Sequence, residues 1–217
     1  PNVRSGAKPA DELYRELAGL VARIAHTDLK LEAMRRFRQR EVLRVATRDL
    51  LGLADMPTTA EEFSNLADAC IQICMDVARD ELVRTHPELP PARIAVIALG
   101  KLGGRELNYS SDIDLVFVAA DEEGSGKSDS GLLSATRLAE LVVAYLSRDM
   151  RSGHLFRVDT RLRPEGRFGS LVRTLASYRS YYENWAETWE LQAMLKARYV
   201  AGDRRIVALP IPTAGTV

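Results

Sequence analysis

Asp112 and Asp114 stand two residues apart in the stretch Ser111-Asp112-Ile113-Asp114-Leu115-Val116-Phe117. On a strand, residues at that spacing project from one face. Two carboxylates held side by side repel unless a cation sits between them, and oxygen-only ligands favour Mg²⁺ or Mn²⁺ over zinc. Upstream, Gly103 and Gly104 lack a Cβ, so the backbone there can turn sharply and approach a phosphate. Backbone N–H groups beside a metal-binding carboxylate pair suggest nucleotide phosphate chemistry. Ser111 lies where its hydroxyl and N–H could hold a terminal phosphate. Lys101, Arg161 and Arg163 are candidate phosphate clamps, since the arginine fork suits bidentate phosphate contact. Each is equally able to pair with a nearby carboxylate. Asp159 occupies another strand-like stretch among Arg157, Arg161 and Arg163, where a lone carboxylate could simply pair with an arginine. His26, His86 and His154 are isolated from these motifs. Transfer at a metal-held phosphate is mostly positioning and charge neutralisation, so no covalent nucleophile is required.

The elements that must position these residues follow from periodicity. Helices are expected over about 11–24, from Thr27 or Asp28 to Leu50, and from a Thr59/Glu62 capping box to about Val83. Gly52 and Pro57 close the second helix, and Pro87, Pro90 and Pro91 mark a boundary. The second half alternates. Arg93–Leu99, Ile113–Ala119 and Leu155–Thr160 read as strands, and Leu132–Met150 reads as a helix. Asp121–Ser130 is polar and reads as a mobile loop. Gly166–Gly169 is a turn, and a last helix spans about Leu175–Arg198. Tyr178, Tyr182, Trp185 and Trp189 then form one stripe, suited to a core or interdomain seam and able to stack a base. The basic segment 35–40 is read as a solvated helix face, or as a contact for an acidic partner or phosphate. The expected fold class is α+β, with a helical region over 1–88, a small mixed sheet with flanking helices over 89–205, and an irregular tail or truncated end over 206–217.

Composition bounds the rest. The chain has 217 residues, 46% of them apolar, enough for a sizeable core. Lysine plus arginine number 30 and aspartate plus glutamate 30, so no bulk positive charge supports nucleic-acid binding. No apolar run is long enough for a membrane span, and no signal-peptide core is present, which points to a cytoplasmic protein. Cys70 and Cys74, four apart, read as reduced core thiols; a metal site would need further ligands, with His86 the nearest candidate.

The Gly-Gly, spacer, Ser and Asp-x-Asp arrangement resembles the polymerase-β-like nucleotidyltransferases. The fuller string from Gly100 to Asp114 closely resembles the glutamine synthetase adenylyltransferase (glutamate–ammonia-ligase adenylyltransferase) family. So do Phe156-Arg157-Val158-Asp159-Thr160-Arg161-Leu162-Arg163-Pro164-Glu165-Gly166 and Trp189-Glu190-Leu191-Gln192-Ala193-Met194-Leu195-Lys196-Ala197-Arg198. The resemblance covers roughly Glu32 to Asp203, and it implies a nucleotidyltransferase fold with Asp159 as the third carboxylate, completing a Mg²⁺ or Mn²⁺ site. It implies Lys196 and Arg198 as residues that order the site or touch substrate. Such enzymes carry two copies of the fold. The amino-terminal copy removes AMP from a tyrosine of glutamine synthetase by phosphorolysis, releasing ADP. The carboxy-terminal copy adds AMP from ATP. Asn108-Tyr109-Ser110-Ser111-Asp112-Ile113-Asp114 and Leu195-Lys196-Ala197-Arg198 look more like the removing copy; the other more often has glycine at the place of Asn108 and leucine at that of Ile113. One copy here makes the chain look like a fragment. Glutamine synthetase, nucleotide and phosphate are the implied partners, with a nitrogen-signalling protein acting through the missing part of the chain. The alternatives are the adenylylating copy and a regulatory module without turnover.

Overall fold

A computed structural model describes residues 6–121 and 128–207. Three helices open the chain: α1 (Ala10–Val21), α2 (Thr27–Leu50) and α3 (Met56–Thr85). The alternating part follows as β1 (Ile94–Ala98), the single turn α4 (Gly100–Gly103), β2 (Ile113–Ala119), α5 (Ser128–Ser147), β3 (Val158–Asp159), β4 (Val172–Thr174), α6 (Leu175–Asn184), α7 (Thr188–Met194) and β5 (Arg198–Gly202). The α+β class read from the sequence is the one observed. The expected mobile loop falls mainly on 122–127, and the expected tail mainly on 208–217; both stretches lie outside the described residues.

The capping box expected at Thr59 and Glu62 is not where α3 begins. Asp55 caps this helix, its side chain accepting from the Thr58 N–H at 2.9 Å. Pro57 therefore starts α3 rather than ending α2, because a first-turn proline gives up an N–H that has no helical acceptor anyway. Thr59 and Glu62 lie inside the helix and are buried. Around α3, Leu66, Cys70, Ile73 and Val77 are buried, and so are Ala67, Ile71, Met75 and Ala78. A helix buried on most of its circumference is a central one, and α1, α2, α5 and β5 all pack on it. Cys70 and Cys74 are both buried and unpaired, as expected of core thiols.

The five-stranded sheet runs β3-β2-β1-β5, with β4 also pairing β2. β1 is antiparallel to β2 and β5, whereas β3 and β4 are both parallel to β2. The two short strands divide one edge of β2: β3 pairs with Ile113 and Asp114, β4 with Phe117, Val118 and Ala119. Alternation in β1 and β2 builds two cores. Ile94, Val96, Ala98, Ile113, Leu115 and Phe117 join the core that continues through α1, α2, α3 and α5. Ala95, Ile97, Val116 and Val118 face a smaller core with Tyr178 and Ile206. Burial on both faces explains why these strands read as continuous apolar runs.

The expected helix over Leu175–Arg198 is three elements. The chain leaves helix at Trp185, restarts at a Glu187/Glu190 capping box, and then becomes β5, which completes the sheet beside β1. The aromatic stripe is broken accordingly. Tyr178 is buried and stacks on Tyr182 at 6.4 Å, whereas Trp185 and Trp189 are 75% and 55% exposed. The basic segment is not one solvated face either. Arg35 is buried, and it donates to the carbonyls of Tyr145 and Arg148 at the end of α5, where a helix leaves acceptors unpaired.

Candidate functional site

β2 begins beside β3, and their register sets Asp114 opposite Asp159. Paired residues of neighbouring strands point to the same side, about 4.8 Å apart along the hydrogen-bonding direction. Asp112 precedes β2 by one residue and has the parity of Asp114, so all three carboxylates fall on one face at one rim of the sheet.

Their surroundings differ. Asp112 accepts from Arg157 Nε at 2.5 Å. Asp159 is held by Arg161, whose side chain reaches it at 2.5 Å and whose backbone N–H donates at 2.8 Å. Those bonds to Arg161 keep the Asp159 carboxyl below its ordinary range. Asp114 is half-buried, and among the described residues no donor or cation pairs with it. Burial, then the negative charges of Asp159 and Asp112, push its pKa up, against a smaller opposing pull from Arg161 and Lys101.

The turn after β1 folds over that carboxylate. Leu99 N–H donates to the Asp114 carbonyl at 2.9 Å, and α4 starts at the next residue. Gly100 has φ +54°, and a Cβ built there would lie 2.2 Å from Asp114 Oδ2. Gly100, not Gly103 or Gly104, is thus the glycine against the site. Gly103 and Gly104 already donate their N–H groups to the Leu99 and Gly100 carbonyls. A Cβ on Gly103 would meet the Lys196 carbonyl at 2.1 Å, so its bareness admits the chain entering β5 rather than a phosphate. The clue in the sequence was a glycine directly following an apolar strand.

The remaining candidates divide. Lys101 is exposed on α4, within electrostatic reach of Asp114. Arg161 is exposed above Asp159. Arg163 is turned away from the carboxylates: it donates to the carbonyls of Thr160, Arg167 and Gly169 and so braces the loop between β3 and β4. Ser111 Oγ closes a turn with Asn108, donating to Oδ1 at 2.6 Å and accepting from the Asn108 N–H at 3.3 Å. Tyr109 anchors that turn to the helices through Asp49 and the ring of Phe63. Lys196 pairs with Glu106. Arg198 grips Asp68 with both Nη atoms and also donates to the carbonyls of Leu102 and Gly103, locking α4 to α3 and β5.

The donor set suits a hard divalent cation. Three oxygens of carboxylates share one face, and the central one is partly desolvated, repelled by its neighbours and without an ion pair. As their side chains stand, no group of three or more His, Cys, Asp or Glu among the described residues is already gathered as a metal cage; Arg157 and Arg161 draw the outer two carboxylates to themselves.

A family model described as glutamate-ammonia ligase adenylyltransferase matches residues 1–209. A bifunctional glutamine synthetase adenylyltransferase/adenylyl-removing enzyme of Streptomyces avermitilis is 44% identical over 76% of this chain and 16% of its own length. The enzyme of that name from Mycolicibacterium smegmatis is 43% identical over 87% of the chain and 18% of its own length. That of Thioalkalivibrio sulfidiphilus is 37% identical, over 90% and 21%. The chain therefore spans about a fifth or less of the relatives it matches. No helix among the described residues is long and apolar enough to cross a membrane.

Proposed function

The chain belongs to the glutamate-ammonia ligase adenylyltransferase family, and from that premise we propose that its rim of carboxylates carries out nucleotidyl transfer on glutamine synthetase. In our reading this copy removes AMP from an adenylylated tyrosine by phosphorolysis, releasing ADP. The observation that carries the reading is the Asp114–Asp159 register with Asp112 on the same face: the central carboxylate is repelled by the outer two and, among the described residues, has no ion pair of its own.

Asp112, Asp114 and Asp159 would hold Mg²⁺ or Mn²⁺, which supplies charge neutralisation at the reacting phosphate. The chain's own residues do the positioning. Gly100 lets α4 close on Asp114, and Arg198 holds α4 in place. Arg161 and Lys101 bring positive charge to the rim, where the anionic oxygens of AMP and phosphate have to be tolerated. The removing direction draws its support from Asn108 and Ile113, the two positions at which the motif resembles the amino-terminal copy; Asn108 also shapes the turn leading to Asp112.

A product assay tests this. Adenylylated glutamine synthetase, Mg²⁺ and phosphate should yield ADP, whereas unmodified synthetase with ATP should yield no pyrophosphate. The opposite pair of results overturns the direction. Asp114→Asn should abolish ADP formation while raising the melting temperature of the metal-free protein, since it removes a repelled charge and keeps the shape. Near wild-type turnover in that variant overturns the site.

A further inference from the structure

Six arginines lie along α2, and five of them have clear partners. Arg35 caps the end of α5, and Arg36 pairs with Glu32. Arg40, Arg44 and Arg48 engage Glu16, Glu41 and Glu62. Arg38 differs. Among the described residues no carboxylate pairs with it; its guanidinium lies 4.7 Å over the Phe156 ring, and its Nε is buried without an acceptor. Burial lowers its pKa, the effect of a charge partly removed from water with no carboxylate beside it. Such a group is costly unless an anion meets it.

Arg38 lines a cleft of about 150 Å³ together with Arg157, His154, Ser110 and Ser111. No carboxylate is in that lining. The volume is several times the roughly 30 Å³ that one water occupies in the liquid, which leaves room for a tetrahedral oxyanion. Arg157 also holds Asp112, so the cleft adjoins the carboxylate rim from the side of the helices.

We propose that this cleft binds one phosphate-type oxyanion, with Arg38 as its partly buried anchor and Arg157 and the Ser110 hydroxyl completing the grip. Its use rests on the phosphorolysis reading: an anion beside Asp112 stands near the reacting phosphate. The two sources of that chemistry are free orthophosphate and the phosphate group of a nucleotide.

Titrating the metal-free 217-residue chain with orthophosphate, and separately with AMP, distinguishes them. Binding is read by calorimetry and by the ¹⁵N resonance of Arg38 Nε. At least one anion should bind at one site, shift that resonance, and bind at least tenfold more weakly to Arg38→Gln. An orthophosphate response marks a free-anion site, and a response to AMP alone marks a nucleotide-phosphate site. If neither anion binds wild-type protein, or Arg38→Gln binds both as wild type does, the proposal is overturned. If Arg38→Gln does not fold, the wild-type resonance decides, and one that does not move overturns the proposal equally. None of these readouts needs turnover, so failure here leaves the phosphorolysis reading to the ADP assay.

Discussion

At Gly100 the backbone adopts φ +54°, with Asp114 Oδ2 where a side chain would begin. Alanine there is strained twice, by its own φ and by the carboxylate. Gly100→Ala should cost about 1–3 kcal/mol of stability and reduce turnover more than that loss explains, because Asp114 is displaced. Gly19 in α1 has nothing within 4 Å of an added Cβ, so Gly19→Ala should be neutral or stabilising by up to about 1 kcal/mol. Urea melts beside the ADP assay check both; equal behaviour of the two variants would refute a positioning role for Gly100. The sequence displayed Gly100, Gly103 and Gly104 alike, and nothing in residue type says which one meets a carboxylate. That Asp112 and Asp114 project to one side was legible because a spacing of two maps onto one face of a strand, although Asp112 lies one residue before β2. Arg163 was not: its acceptors are backbone carbonyls, and these leave no mark on the sequence.

Among the elements, α2 and α3 are tied by buried ions, and Lys8, just before α1, joins them. Glu41, 1% exposed, meets Arg44 at 2.8 Å and Lys8 at 3.6 Å, and Arg44 reaches Glu62 on α3 at 2.6 Å. Burial by itself would push the Glu41 carboxyl up, but the bonds from Arg44 and Arg40 and the charge of Lys8 outweigh it and leave it below the ordinary range. A depressed carboxyl contributes stability above its unfolded pKa, near 4.3, and loses it as pH falls through the folded value. Glu41→Gln should therefore destabilise the protein by on the order of 3 kcal/mol at neutral pH. The difference should shrink below about pH 4; a constant difference down to acid pH would refute the assignment. The pattern of apolar residues revealed α1 to α3 and the two long strands. It missed β4 because it is only three residues long, and β5, as long as β1, because it is only partly buried, so neither alternation nor an apolar run stands out. Arg198-Tyr199-Val200-Ala201-Gly202 extends a helical pattern as readily as it forms a strand; pairing with β1 decides the matter.

For the molecule as a whole, the helical region and the sheet share one apolar core, from Leu13 in α1 to Phe117 in β2 and Leu146 in α5. The carboxylate rim is thus carried on a continuous body, and the Arg38 cleft opens at the junction of its helical and sheet parts. On a different part of that body stand Trp185 and Trp189, the two tryptophans of the chain, both well exposed around the break between α6 and α7. Indole emission shifts to the red in water and to the blue when the ring is covered, so the native protein should already emit like a solvated indole. Chemical unfolding should change that colour very little while the helical dichroism collapses, and a stability curve taken from fluorescence would understate the transition. The same two rings make a label-free reporter of contact. A blue shift on adding adenylylated glutamine synthetase, with no change on adding AMP, would place that protein against α6 and α7; an unchanged spectrum at saturating concentration would clear that surface of any part in docking it.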